Sequence, residues 1–318
     1  MSRPRPPCRR RAAARRCRSG QPAALRKSTS RRRFGAAAGR TQLFDGDRVR
    51  QVTSRHNPRL REAAALIASS RERRKSGKCV LEGEHVIATY VQRYGAPESL
   101  IVTDAAVARS AVRDLAEQHA ERTIIVPESL LAAAASLPAS VGMLAIVATP
   151  RPATLAYADL SLLIDDVQDP GNVGSMLRSA AAAGVAQVLL SKHCAFAWSP
   201  KVLRAGQGAH FCVDIHEDVD LPAWAAGFRA AGGEVVATVA SGGTSLFAAS
   251  LATRIALAIG NEGAGISPEL AAQATQRATI PMHAGVESLN VAAAAAVCLF
   301  ECLRQREAAS SAASGRRL

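Results

Sequence analysis

IPMHAGVESLNVAAAAAVCLFECLRQR, residues 280–306, is the stretch around which the chain is organised. A short apolar strand ends near Pro281, a polar turn with Gly285 follows, and a helix is predicted from Asn290 to about Arg306. Asn290 is a good N-cap, because its side chain accepts from an orphan N–H of the first turn. Ser288 and Asn290 therefore stand beside unpaired backbone donors at a helix N-terminus. Capping alone accounts for such a pair. Two earlier loops add to it.

Upstream of this stretch the apolar pattern alternates. Strands at 161–165, 187–191, 211–215, 234–239, 255–259 and 277–281 are separated by helices at 173–183, 200–209, 221–231 and 268–276. Such alternation predicts a parallel sheet covered on both faces. Further upstream, a helix over 59–74 carries Leu60, Ala64, Ile67 and Ala68 on one face. Its basic end, Arg71, Arg73, Arg74 and Lys75, reads as a solvated terminus with a favourable dipole. Strands at 78–83, 100–102, 123–126 and 143–148, with helices at 84–93, 105–120 and 129–135, complete a small α/β domain. Thr149-Pro150-Arg151-Pro152 reads as a linker, since two prolines cannot continue a strand ladder. The expected division is a basic disordered tail over 1–50, an α/β domain over 51–148, a linker over 149–158, a second α/β domain over 159–307 and a disordered end over 308–318.

The chain has 318 residues and 48% hydrophobic content, enough for two cores. Its formal charge is +14, but residues 1–44 hold 13 Arg and Lys27 with no acid, and the other 26 basic residues are balanced by 26 acids. A basic binding face on the folded body must therefore be local. The arginine-rich start fits a transit peptide, a floppy RNA-binding arm, or an upstream extension from a misplaced start codon; the last is preferred. No long apolar run marks a secretory signal or a membrane span. The seven cysteines include no Cys-x-x-Cys pair and no zinc ligand set, so reduced thiols in a cytosolic, metal-free protein are expected.

In open parallel sheets, ligand sites gather at the carboxyl ends of the strands. The first loop there, Asp165-Asp166-Val167-Gln168-Asp169-Pro170-Gly171-Asn172, leads into a helix with Asn172 as a plausible N-cap. Gly174 lets that helix approach a neighbour closely. Arg178, among Met176, Leu177, Ala180 and Ala181, is either a snorkelling surface residue or a ligand for an anion. The second loop, Gly260-Asn261-Glu262-Gly263-Ala264-Gly265-Ile266-Ser267, carries an acid where a phosphate would be repelled. It lacks both the P-loop lysine and the Gly-x-Gly-x-x-Gly spacing, which argues against a di- or triphosphate ligand. Ser267-Pro268 reads as an ordinary helix start. The third loop is the opening stretch. No Ser/His/Asp or Cys/His set accompanies them, which disfavours simple hydrolysis.

In this order and spacing, Asn172-x-Gly174-x-x-x-Arg178, Gly260-Asn261-Glu262-Gly263 and Ser288-Leu289-Asn290 resemble the three motifs of the SpoU (TrmH-like) RNA 2′-O-ribose methyltransferases. Ser199-Pro200-Lys201-Val202-Leu203-Arg204-Ala205-Gly206-Gln207-Gly208-Ala209 resembles the segment between those motifs. Asn57-Pro58, Gly77 and Glu82-Gly83 resemble the family's N-terminal RNA substrate-binding domain. The resemblance implies a SPOUT-class α/β trefoil-knot domain, S-adenosylmethionine as methyl donor, and a homodimer with sites near the subunit interface. It also implies rRNA, 23S in particular, ahead of tRNA as substrate. It makes Arg178 the central catalytic group, with Asn172, Glu262, Ser288 and Asn290 around it. Gly260, Asn261, Gly263, Ile280, Met282 and Leu289 would hold the cofactor. As a free side chain arginine is an improbable base, so Arg178 is expected to bind RNA phosphate and stabilise developing oxyanion charge. The competing readings are an NAD- or ATP-binding α/β enzyme and a non-catalytic RNA-binding or ribosome-assembly protein on the same fold.

Overall fold

The computed structural model describes residues 49–134, 142–152 and 154–314. The arginine-rich start to residue 48, residues 135–141, Ala153 and residues 315–318 lie outside the described residues.

The first half runs β1 (Arg50–Gln51), α1 (Pro58–Ala68), α2 (Ser70–Ser76), β2 (Lys78–Glu82), α3 (Glu84–Tyr94), β3 (Ser99–Thr103), α4 (Ser110–Gln118), β4 (Thr123–Val126), α5 (Glu128–Ala134) and β5 (Met143–Ala148). Its sheet has the order β1-β4-β3-β5-β2. Arg50 pairs with Ile124, so the expected tail ends before residue 50. The helix expected over 59–74 is two helices. Ser69 turns extended between them and its hydroxyl oxygen accepts from the Glu72 N–H at 3.2 Å, half of the Ser-x-x-Glu capping box that the sequence carries. The expected helix over 105–120 is likewise interrupted, by extended Arg109. The basic end of α2 is only partly solvated. Arg73 is buried and its guanidinium donates to the Leu66 and Ile67 carbonyls at the end of α1. Arg74 pairs with Asp218 at 3.0 Å and lies over the Phe196 ring.

The second half runs β6 (Leu160–Ile164), α6 (Pro170–Ala182), β7 (Gln187–Leu190), α7 (Pro200–Gly206), β8 (Asp214–His216), α8 (Leu221–Ala230), β9 (Glu234–Thr238), β10 (Thr244–Ser245), β11 (Ile255–Ile259), α9 (Pro268–Ala271), β12 (Gln276–Thr279) and α10 (Val291–Ser314). All strand pairs in its seven-stranded sheet, ordered β10-β12-β9-β11-β6-β7-β8, are parallel. Both faces are covered, as the uninterrupted apolar strands predict. On β11, Ile255, Leu257 and Ile259 join one core with Val173, Met176 and Leu177 of α6 and Cys298 and Leu299 of α10. Ala256 and Ala258 point the other way, into a core with Trp224 and Phe228 of α8 and Leu270 of α9.

Two helices differ in length from expectation. α9 stops at Ala271, because the Thr275 N–H and hydroxyl both donate to the Val235 carbonyl and draw the chain into the sheet. α10 runs to Ser314, through residues expected to be disordered. Ala308, Ala309 and Ala312 carry high helix propensity, and no breaker intervenes before Gly315. Where 211–215 was expected as a strand, Ala209–Phe211 is a 3-10 turn and β8 begins at Asp214; Phe211 is buried against Tyr90 of α3. Both sheets fall within one compact unit, and the larger core cluster runs through both. Arg204 of α7 also pairs with Glu82 at the end of β2, at 3.0 Å.

Candidate active site

Because the second sheet is wholly parallel, the loops after β6, β9, β11 and β12 emerge on one rim. The loop after β6 starts α6, but not with the residue expected. Asp169 is the N-cap: its Oδ1 accepts from the Asn172 N–H at 2.8 Å, and Pro170 takes the first helical position. This releases the Asn172 side chain. Its Nδ2 donates to Glu262 Oε1 in the loop after β11, and its Oδ1 accepts from Asn290 Nδ2 at 3.0 Å. Asn290 caps α10 as expected, its Oδ1 accepting from the N–H groups of Ala292 at 3.0 Å and Ala293 at 3.2 Å. One amide chain, Glu262–Asn172–Asn290, therefore joins all three loops.

The loop after β11 is built on its own backbone. Asn261 and Gly265 exchange two backbone hydrogen bonds of 2.9 Å each. Asn261 Oδ1 accepts from the N–H groups of Gly263 at 2.9 Å and Ala264 at 3.0 Å, while its Nδ2 donates to the Asp166 carbonyl at 2.9 Å. A Cβ on Gly260 would lie 2.1 Å from the Gly265 carbonyl carbon, so only glycine fits there. Gly174 serves helix packing: a Cβ would meet Ala205 Cβ at 2.5 Å and the Val202 carbonyl oxygen at 2.6 Å, so α6 lies directly on α7.

Beside the amide chain is a cavity of about 330 Å³. All six residues expected to hold a cofactor, Gly260, Asn261, Gly263, Ile280, Met282 and Leu289, line it, as do Glu262 and Ser288. Thr238, the last residue of β9, and Val239 and Ala240 after it line it too; their only sequence signal was their place at a strand's carboxyl end. The lining contains no Lys, Arg or His and one acid, Glu262. The Ser288 hydroxyl is exposed and has no hydrogen-bond partner among the described residues. Asn172 and Asn290 sit one hydrogen bond behind the lining.

Arg178 is placed differently. It is exposed on α6, does not line the cavity, and has no hydrogen bond or ion pair among the described residues. It shares the exposed flank of the helix with Gly171, Ser175 and Ala182. Cys194 packs behind the first loop, where burial raises its thiol pKa and its Sγ donates to the Ile164 carbonyl at 3.2 Å. Among the described residues no group of three or more His, Cys, Asp or Glu is placed to hold a metal ion, and no helix is long and apolar enough to cross a membrane.

Residues 159–300 match the SpoU rRNA methylase family, and residues 57–145 match the MRM3-like substrate-binding domain. The chain is 31% identical to the 23S rRNA guanosine 2′-O-methyltransferase RlmP of Bacillus subtilis, over 79% of this chain and 98% of that one. The chain belongs to the SpoU rRNA methylase family. Solved SpoU/TrmH structures share its architecture over about four fifths of the chain. A putative TrmH-family RNA methyltransferase of Porphyromonas gingivalis superposes with a TM-score of 0.68 at 31% identity, covering 77% of this chain and 97% of that one. AviRb of Streptomyces viridochromogenes, a SpoU methyltransferase solved with S-adenosylmethionine, superposes with a TM-score of 0.70 at 27% identity, covering 79% of this chain and 98% of that one. The seven-stranded sheet is thus the SPOUT-class α/β-knot fold that the three motifs imply, preceded by a substrate-binding domain of the MRM3-like type.

Proposed function

We propose that this SpoU-family enzyme transfers a methyl group from S-adenosylmethionine to a ribose 2′-hydroxyl of 23S rRNA, in the cytoplasm. The observation that carries this reading is the chemistry of the cavity. A wall of backbone and apolar groups with one carboxylate and no cation suits a ligand that bears a positive sulfonium and no phosphate. It does not suit NAD or ATP, whose phosphates call for cations or free N–H groups. The N–H groups of Gly263, Ala264 and Gly265 are already engaged inside their own loop.

When bound, S-adenosylmethionine supplies the electrophilic methyl group. The residues of the chain do the rest. Gly260, Ile280 and Leu289 shape the slot for the adenine, and Asn261 holds the loop that forms one wall. Ser288, with its free hydroxyl at the cavity mouth, orients the incoming ribose. Glu262 is held in place through Asn172, which Asn290 holds in turn. Arg178, free on the flank of α6, binds RNA phosphate and stabilises the charge on the 2′-oxygen as its proton passes to water. The domain over 51–148 selects the RNA, and that over 159–307 performs the transfer. Exposed Val297 and Phe300 on α10, with Val286 and Leu289 in the preceding loop, favour a homodimer that covers them.

The test is a map of 2′-O-methylation in rRNA and tRNA from cells with and without the gene, with transfer from labelled S-adenosylmethionine to 23S rRNA by the purified protein. Loss of one 23S site on deletion, restored in vitro, is the expected result. Loss of a tRNA site instead would move the substrate. An unchanged map with no transfer would leave an RNA-binding protein on the same fold.

A further inference from the structure

Asp165 directly follows β6 and is 6% exposed. A buried carboxylate persists where donors satisfy it, and its donors are unusual. Its Oδ2 accepts from both the N–H of Ser267 at 2.9 Å and the hydroxyl of Ser267 at 2.6 Å. Ser267 holds the N-cap position of α9, yet its side chain makes no capping bond. The hydroxyl that the sequence reads as a helix cap is spent on Asp165.

The next residue holds the other end of the same loop. Asp166, with φ at 55°, turns its carbonyl toward Asn261 Nδ2 at 2.9 Å, and its own N–H donates to Ser191 Oγ at 2.9 Å. Two consecutive residues just after β6 therefore grip the loop after β11 at both ends, residues 261 and 267. Between those grips the loop is bonded internally, by the Asn261–Gly265 backbone pair and the Asn261 side chain. It carries Glu262 and one wall of the cavity. Asp165 and Ser267 do not line the cavity, so any effect they have on a ligand passes through the loop.

We propose that Asp165 is a positioning residue for methyl transfer, acting through Ser267 to hold the loop over 260–267 where its backbone meets S-adenosylmethionine and Glu262 meets Asn172. The inference rests on the cofactor reading above. The test measures S-adenosylmethionine binding to the full-length protein by calorimetry for the wild type, Ser267→Ala, Ser267→Thr and Asp165→Asn. Hydrogen exchange of the loop amides is followed without cofactor.

Ser267→Ala removes one charge-assisted bond and leaves the fold, so affinity is expected to drop on the order of tenfold. Ser267→Thr, which keeps the hydroxyl, restores it. Asp165→Asn weakens binding at least as much, and the Gly265 amide exchanges faster in both weakened variants, while RNA affinity holds. Wild-type affinity in a folded Ser267→Ala protein, or an equal fall in RNA and cofactor affinity, overturns the proposal. A wild type that binds no S-adenosylmethionine overturns the cofactor reading itself and takes this inference with it.

Discussion

Asn172→Ala is the perturbation that tests the amide chain most directly. It removes two side-chain hydrogen bonds, one to the Glu262 carboxylate and one from Asn290. In a dry interior the pair would be worth about 2–4 kcal/mol. Both partners are exposed, however, so water replaces the lost bonds. The cost in folding stability should therefore be only about 0.5–1 kcal/mol. The cost to catalysis should be larger, because water restores solvation but not geometry. With Glu262 free to swing, methyl transfer should fall on the order of a hundredfold, the usual penalty for displacing a positioning group by about 1 Å. Asn172→Asp separates geometry from charge. It keeps the size but turns a carboxylate toward Glu262. At about 3 Å in a water-like dielectric the two repel by roughly 1.4 kcal/mol, so this variant should be about tenfold worse than a merely unpaired site. Single-turnover methyl transfer, alongside denaturant midpoints, measures both. A rate within threefold of wild type for Asn172→Ala, or additive losses in the Asn172→Ala/Glu262→Ala double variant, would refute the coupling.

Arg178→Ala should leave the fold and S-adenosylmethionine binding intact and lower single-turnover transfer by about a hundredfold or more, with Lys a poor substitute for the planar fork; equal rates in all three proteins would remove Arg178 from the mechanism. Gly260→Ala places a methyl group 2.1 Å from the Gly265 carbonyl carbon, so the loop must shift, and calorimetry should find cofactor binding lost while the protein stays folded. Burial pushes the Glu217 carboxyl up to about 7, against the Ala197 N–H and the Arg74 charge, which lower it. A raised folded pKa means that its stabilising contribution is present below about 4.5 and is lost as pH rises to about 7. Glu217→Gln should flatten that slope and raise stability at pH 8 by about 1–3 kcal/mol, read from urea midpoints at pH 5, 6.5 and 8; an unchanged slope would place the Glu217 carboxylate in water.

Much of this protein was legible in sequence because the relevant rules are local. Unbroken apolar runs of β-branched and leucine residues, alternating with helical periodicity, specify a parallel sheet buried on both faces. Strand-end loops with Asn172, Glu262 and Ser288 mark the rim beside which the cavity lies. The acid in the glycine loop argues against phosphate before any cavity is seen. Asn290 as an N-cap is a one-turn inference, and it holds.

What the sequence left open are choices between competing local partners, and tertiary structure makes them. Asp169 and Asn172 both suit the N-cap of α6; the cap goes to Asp169 because Asn172 has partners 90 and 118 residues away in Glu262 and Asn290. Ser267 suits the cap of α9 but turns to Asp165, 102 residues away. Thr275 leaves its helix for a carbonyl on β9. The strands Arg50–Gln51 and Thr244–Ser245 are two residues long, too short for any period to show, and exist only because a neighbouring strand offers its edge. In each case two bonds of similar worth, about 1 kcal/mol, compete. The winner is set by which donor the rest of the fold leaves without a partner, a quantity that no window of adjacent residues contains.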